Sequence, residues 1–93
     1  MKLLLVGAGG YAKNYIKLLL KREIPEIRWE GIVDPFYSAC EFKEEIDALG
    51  IPVYDTMEEF YSHHTAQLTV ISTPTFLHCK QSLCAVENGS HVL

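Results

Sequence analysis

The sequence predicts an α/β fold: a doubly wound parallel sheet, five strands in the order 3-2-1-4-5, with helices on both faces. Three observations predict it. Strand-length apolar runs alternate with stretches of helical periodicity along the whole chain, joined by short connections. The first run is unbroken rather than alternating, which suits a strand covered on both faces. Three glycines in four positions then separate that strand from the first helix. Right-handed crossovers leave few topologies for such a chain.

Each element has its own signal. Lys2 to Val6 forms the first strand. Ala12, Tyr15, Ile16, Leu19 and Leu20 fall at i, i+3, i+4, i+7 and i+8, with Lys13, Asn14, Lys17 and Lys21 opposite, so an amphipathic helix follows the glycines. Pro25 ends that unit. Ile27 to Val33 is the second strand, stopped by Asp34-Pro35. A second helix is expected from about Ser38 to Leu49, with Gly50 as its C-terminal stop. Ile51 to Tyr54 is a short third strand, placed at an edge by Pro52. Thr56-Met57-Glu58-Glu59 has capping-box spacing, so a short helix starts at Thr56 and runs to about Ser62. Gln67 to Ser72 is the fourth strand and Phe76 to Glu87 the fourth helix, closed by Asn88-Gly89. Ser90 to Leu93 begins the fifth strand.

The bulk numbers fit one small domain. The chain has 93 residues, is 48% hydrophobic and 22% charged, and carries a net charge of −4. That balance argues against a nucleic-acid partner, which selects basic faces. The longest apolar runs are far short of the ~20 residues of a membrane span, so no membrane partner is expected. Lysines at 13, 17 and 21 spoil a signal-peptide reading. Cys40, Cys79 and Cys84 are odd in number and lack a C-x-x-C spacing. No metal site or disulfide framework is expected, and a cytoplasmic location fits best.

The chemistry is expected where the strand order reverses, between the carboxyl ends of strands one and four. Gly7, Gly9 and Ala12, in "VGAGGYA", match G-x-G-x-x-G/A. Gly7 allows the tight turn, Gly9 lets a pyrophosphate approach the backbone, and Ala12 lets the helix pack close to the strand. Ala8, Gly10 and Tyr11 complete this phosphate-facing loop, whose helix N-terminus offers unpaired N–H groups. Asp34 ends strand two, 27 positions after Gly7, against a usual spacing of roughly 20. Its carboxylate would accept from the adenosine ribose hydroxyls. A 2′-phosphate ~4 Å away would be repelled by at most about 4 kcal/mol. No Lys or Arg occurs in the eight residues after Asp34 to offset this. The cofactor expected is NAD, with NADP disfavoured.

The facing loop is Ser72-Thr73-Pro74-Thr75. Pro74 holds Thr73 extended and should pack against the ligand's edge. The hydroxyls of Thr73 and Thr75 are placed to reach ribose or phosphate oxygens. His78, one turn into the helix, is weighed as a cofactor contact against a part-exposed helical histidine. His63, His64 and His91 are assigned no role.

Together, "KLLLVGAGGYA", "IVD", "VISTPTFLH" and "ENGSHVL" resemble the glucose–fructose oxidoreductase / inositol dehydrogenase / MocA family over the whole chain. The resemblance implies the NAD(P)-binding Rossmann domain of an oxidoreductase acting on a sugar, polyol or sugar nucleotide. It also implies a second α/β domain that supplies most of the substrate site and much of the oligomer contact. Two departures stand out. Thr75 occupies the place of the family's usual Asn. The family's Glu-Lys-Pro motif, with its reaction-centre lysine, would follow Leu93. The chain is therefore expected to be a fragment ending before the catalytic motif, with no catalytic residue of its own, whose small-molecule substrate needs the further domain. The competing readings are a non-catalytic NAD(H)-sensing or interaction module and a methyltransferase; the G-x-G-x-x-A spacing and the Thr73-Pro74 loop disfavour the latter.

Overall fold

The computed structural model describes residues 1–21 and 25–93. Its sheet has five strands: β1 (Lys2–Val6), β2 (Arg28–Val33), β3 (Val53–Tyr54), β4 (Leu68–Ile71) and β5 (His91–Val92). They lie in the order β3-β2-β1-β4-β5, with every neighbouring pair parallel. The four helices among the described residues are α1 (Lys13–Lys21), α2 (Lys43–Leu49), α3 (Met57–His63) and α4 (Thr75–Glu87). The expected doubly wound sheet is the one observed.

The unbroken run of β1 divides between two cores because side chains alternate across a strand. Leu3 and Leu5 join Ala12, Ile16, Ile32 and Ile46, under α1 and α2. Leu4 and Val6 join Val33, Met57, Phe60 and Ala85, under α3 and α4. Leu4 and Leu5 are completely buried. β1 is thus the central strand of a three-layer sandwich, and its carboxyl end is held from both sides.

β1 and β2 shift register between Leu3 and Leu4, so Trp29 pairs with Leu3 and Gly31 with Leu4. Glu30 is the extra residue. Its carboxylate meets Arg28 Nε at 3.4 Å and His64 Nδ1 at 3.4 Å. His64 Nε2 lies 2.9 Å from the Tyr54 hydroxyl, and its ring stacks on Phe60. His63 stacks on Tyr54. The two histidines therefore anchor the end of α3 to β2 and β3. Gly31 makes room for this packing: a Cβ there would lie 2.8 Å from the Phe60 ring.

The helix expected over Ser38–Leu49 is divided. Tyr37–Ala39 forms a single 3-10 turn, Cys40 is extended with ψ 130°, and α2 begins only at Lys43. The cause is tertiary. The Tyr37 hydroxyl donates to Asp47 Oδ1 at 2.7 Å, with the Lys43 carbonyl at 3.2 Å, so its ring folds back along α2. A continuous helix would carry Tyr37 away from both. Tyr15, expected on the buried stripe of α1, is instead 38% exposed.

α3 is capped as its sequence foretells: the Glu59 N–H donates to Thr56 Oγ1 at 3.1 Å. The short β5 is tied down by buried hydroxyls. Ser90 Oγ donates to the Ala66 carbonyl at 2.7 Å, and the Tyr61 hydroxyl sits 2.8 Å from Ser90 Oγ and 2.9 Å from Thr69 Oγ1. Each is then satisfied without water, as burial requires.

Candidate functional site: a cleft at the carboxyl ends of the strands

The carboxyl ends of β1, β2, β3 and β4 open into one cleft of about 630 Å³, ample for part of a nucleotide. Its walls come from four connections, and the loop after β1 forms its floor.

Gly7 ends β1 with φ +91°. A Cβ there would be strained by that backbone angle and would sit 3.0 Å from both the Ser72 carbonyl oxygen and Thr73 Cγ2. Gly7 is glycine for two separate reasons, left-handed backbone and close approach to β4. Its N–H donates to the Val33 carbonyl at 2.8 Å, which ties the turn to β2. Gly9 and Gly10 differ. A Cβ at either would meet nothing within 4 Å, so the space above them is open to a ligand. Among the described residues, neither N–H has a protein acceptor, and Gly9 lines the cleft. Gly10–Ala12 is a 3-10 turn leading into α1, and Ala12 is completely buried against the sheet. Tyr11 lies in this turn.

Asp34 stands at the end of β2. Its Oδ2 accepts from the Ala8 N–H at 2.8 Å and its Oδ1 from the Phe36 N–H at 2.8 Å. A carboxylate offers about four lone-pair positions, so two remain for a ligand's hydroxyls. Its own N–H donates to the Tyr54 carbonyl at 3.0 Å, which fixes it against β3.

The loop after β4 carries Ser72, Thr73 and Pro74 into the cleft wall. Ser72 is 9% exposed, and its hydroxyl is buried without a hydrogen-bond partner among the described residues. An orphaned buried hydroxyl in the wall of an open cleft is what a bound polar ligand would satisfy. Thr73 is committed inward: its hydroxyl donates to Gln81 Oε1, and its carbonyl accepts from His78 Nε2. The Thr73 hydroxyl proton is thus engaged by α4, and its oxygen keeps acceptor lone pairs. His78 is turned to its own loop and does not line the cleft. It carries its proton on Nε2, since a carbonyl can only accept. Thr75 opens α4.

Of the residues expected from the sequence, the fold brings Gly7, Ala8, Gly9, Asp34, Ser72, Thr73 and Pro74 to one cleft. Sequence reasoning missed its remaining walls. Phe36 and Cys40 come from the β2–α2 connection, Asp55 to Glu58 from the start of α3, and Leu77, Lys80, Gln81 and Cys84 from α4. Two signals were available. The spacing 77, 80/81, 84 is one helical face, and the rule that ligands bind at strand carboxyl ends applies to β3 as well.

Electrostatically the cleft is acidic at one end. Asp34, Asp55 and Glu58 face it, with Lys80 as the cation among its lining residues. Burial pushes the Cys40 thiol up from its ordinary range, with Asp34 and nearby glutamates adding to this; burial, then Glu58 and Glu87, does the same to Cys84. Both thiols stay protonated near neutrality and form part of the apolar wall. No cluster of three metal-ligating side chains occurs among the described residues, and no helix there is long and apolar enough to cross a membrane.

The residues present fit a dinucleotide. Free N–H groups and open space lie over Gly9 and Gly10, spare carboxylate lone pairs remain on Asp34, and an unpaired hydroxyl waits at Ser72.

Comparison with known proteins gives a consistent result. A family model described as "Oxidoreductase family, NAD-binding Rossmann fold", GFO_IDH_MocA, matches residues 1–93. No curated protein matches. Among solved structures, the chain is similar to the WlbA dehydrogenase from Bordetella pertussis in complex with NADH and UDP-GlcNAcA. The identity is 24%, the TM-score 0.81, and the match covers 98% of this chain and 27% of that one. It is also similar to scyllo-inositol dehydrogenase from Lactobacillus casei with bound NAD(H) and scyllo-inositol. There the identity is 20%, the TM-score 0.82, and coverage 99% of this chain and 26% of that one. At these identities the likeness is one of fold. The chain spans about a quarter of the length of these structures' chains.

Proposed function

This chain belongs to the GFO_IDH_MocA oxidoreductase family, with its NAD-binding Rossmann fold, and from that premise we propose that its cleft holds NAD(H) in preference to NADP(H). The pyrophosphate lies over Gly9 and Gly10, where two N–H groups and the N-terminal end of α1 meet it. The adenosine ribose hydroxyls donate to the free lone pairs of Asp34. Ser72 Oγ gains the partner it lacks. One observation carries this reading: open phosphate-facing N–H groups, a carboxylate with two spare acceptor positions, and an orphaned hydroxyl converge in a single cleft.

The preference for NAD follows from charge. Asp34, Asp55 and Glu58 line the cleft with only Lys80 among its lining residues to offset them. A 2′-phosphate beside Asp34 would meet a fixed carboxylate and no guanidinium.

Bound NAD supplies a hydride acceptor, and NADH a hydride donor. The residues of this chain bind and orient that cofactor; the groups that touch substrate come from elsewhere in the working enzyme. The substrate class we propose is a polyol or sugar nucleotide, as in the inositol and UDP-GlcNAcA complexes of the structural relatives.

Isothermal titration of the folded chain with NADH, NADPH and S-adenosylmethionine tests the reading. NADH should bind at least about tenfold more tightly than NADPH, which is ~1.4 kcal/mol, and S-adenosylmethionine not at all. A folded sample that binds neither nicotinamide dinucleotide overturns it.

A further inference from the structure

We propose that Phe36 is the platform on which the adenine ring of the dinucleotide stacks, making it the side chain that sets this protein's affinity for the adenosine half. The proposal rests on the NAD(H) reading above and names a residue that the glycine motif and Asp34 leave out.

Phe36 is 76% exposed and lines the cleft. An exposed phenylalanine is unremarkable by itself. What sets this one apart is how firmly its backbone is held. Its N–H donates to Asp34 Oδ1 at 2.8 Å, and its carbonyl accepts from the Ala39 N–H at 3.0 Å. The backbone that carries this apolar ring into water is thus held two residues beyond the carboxylate that takes the ribose.

Adenine is joined directly to that ribose, so a ribose on Asp34 delivers the base to this side of the cleft. Ala39, Cys40, Leu77 and Cys84 supply apolar lining to the same cleft. Both thiols stay protonated, so neither adds a charge to the wall the base would cover. Phe76, the other exposed aromatic among the cleft's lining residues, is the second residue of α4 and has no such tie to Asp34. A π-face on a fixed backbone is a low-entropy partner for a purine.

The test is isothermal titration of the whole chain with ADP-ribose and with NADH. Phe36→Ala should weaken both by the same factor, about tenfold, within the range for one base–aromatic stack. Phe36→Tyr should retain wild-type affinity. Because the side chain is exposed, both variants should melt as the wild type does. An independent readout is Phe36→Trp, whose indole emission should be quenched by ADP-ribose. Trp29, at the amino end of β2, supplies a constant background. Phe36→Ala binding both ligands like wild type overturns the proposal, as does indole emission that stays unchanged while ADP-ribose binds. A wild-type chain that binds neither ligand overturns the NAD(H) reading itself, so the two failures are distinct.

Discussion

Asp34 Oδ2 accepts a 2.8 Å hydrogen bond from the backbone N–H of Ala8, inside the glycine loop and 26 residues earlier in the chain. The two halves of the proposed cofactor site are therefore joined in the free chain. The Asp34 carboxylate, proposed above to take the ribose, also sets the position of the glycine loop, proposed to take the phosphates. Pre-organisation of this kind lowers the entropy lost on binding.

Asp34→Asn should uncouple them. The amide keeps the shape but has one oxygen for two backbone donors, so the N–H of either Ala8 or Phe36 loses a charged acceptor. Stability should fall by about 1–2 kcal/mol, read as a lower thermal midpoint. NADH should bind about tenfold more weakly. The ratio of NADH to NADPH affinity should narrow by a similar factor, because the charge that repels a 2′-phosphate is gone. Titration with both dinucleotides measures each effect.

The two glycines of the motif should separate under substitution. Gly7→Ala places a Cβ against the Ser72 carbonyl at φ +91°, costing about 1–3 kcal/mol. In a domain of this size each kcal/mol lowers the thermal midpoint by roughly 4–8 °C. Gly9→Ala meets open space and should leave the midpoint unchanged, while NADH binding drops by about tenfold or more as the methyl takes the ligand's room. Equal loss of stability in both variants would contradict this division.

Ser72→Ala should act with opposite signs on stability and binding. The free protein sheds a buried hydroxyl that has no partner, which should raise its stability by about 1 kcal/mol. The cofactor loses the hydrogen bond it would have satisfied, so NADH affinity should fall severalfold. Chemical denaturation with and without NADH reports both.

The cysteines offer a footprint. Cys40 and Cys84 line the cleft, whereas Cys79 is exposed on α4 outside it. With their thiols pushed up by burial and nearby carboxylates, Cys40 and Cys84 hold little thiolate at pH 7. Their alkylation should accelerate as pH rises through and beyond the ordinary thiol range. NADH should slow the labelling of both and leave Cys79 unaffected. Peptide mass spectrometry after iodoacetamide treatment gives the three rates, and protection of Cys79 alone would argue against the cleft as the cofactor site.

Much of the fold was legible from local pattern. The capping box at Thr56, the stop at Gly50 and the unbroken run of β1 are each encoded within a few residues, and so is the glycine motif. Side-chain contacts that periodicity and motif spacing do not specify account for the rest. The helix over Ser38–Leu49 breaks because Tyr37 reaches Asp47 and Lys43. Thr73 and His78 turn inward because Gln81 and the loop's own carbonyl claim them. His63 and His64, assigned no role from the sequence, fasten α3 to the edge of the sheet.

By itself the sequence determined the alternation of strands and helices, the strand order they imply, and a glycine-rich loop after the first strand with an acidic residue at the end of the second. Those features depend on periodicity, on glycine's missing Cβ and on short-range capping, which act over one or two turns of chain. Only the tertiary structure decided how the site is assembled. It set Asp34 on the Ala8 N–H, brought the start of α3 and one face of α4 to the cleft, and left Ser72 without a partner. Those outcomes depend on which buried donors and acceptors meet once the sheet closes. Local pattern cannot specify that pairing, because the partners lie tens of residues apart and meet only when both cores are packed.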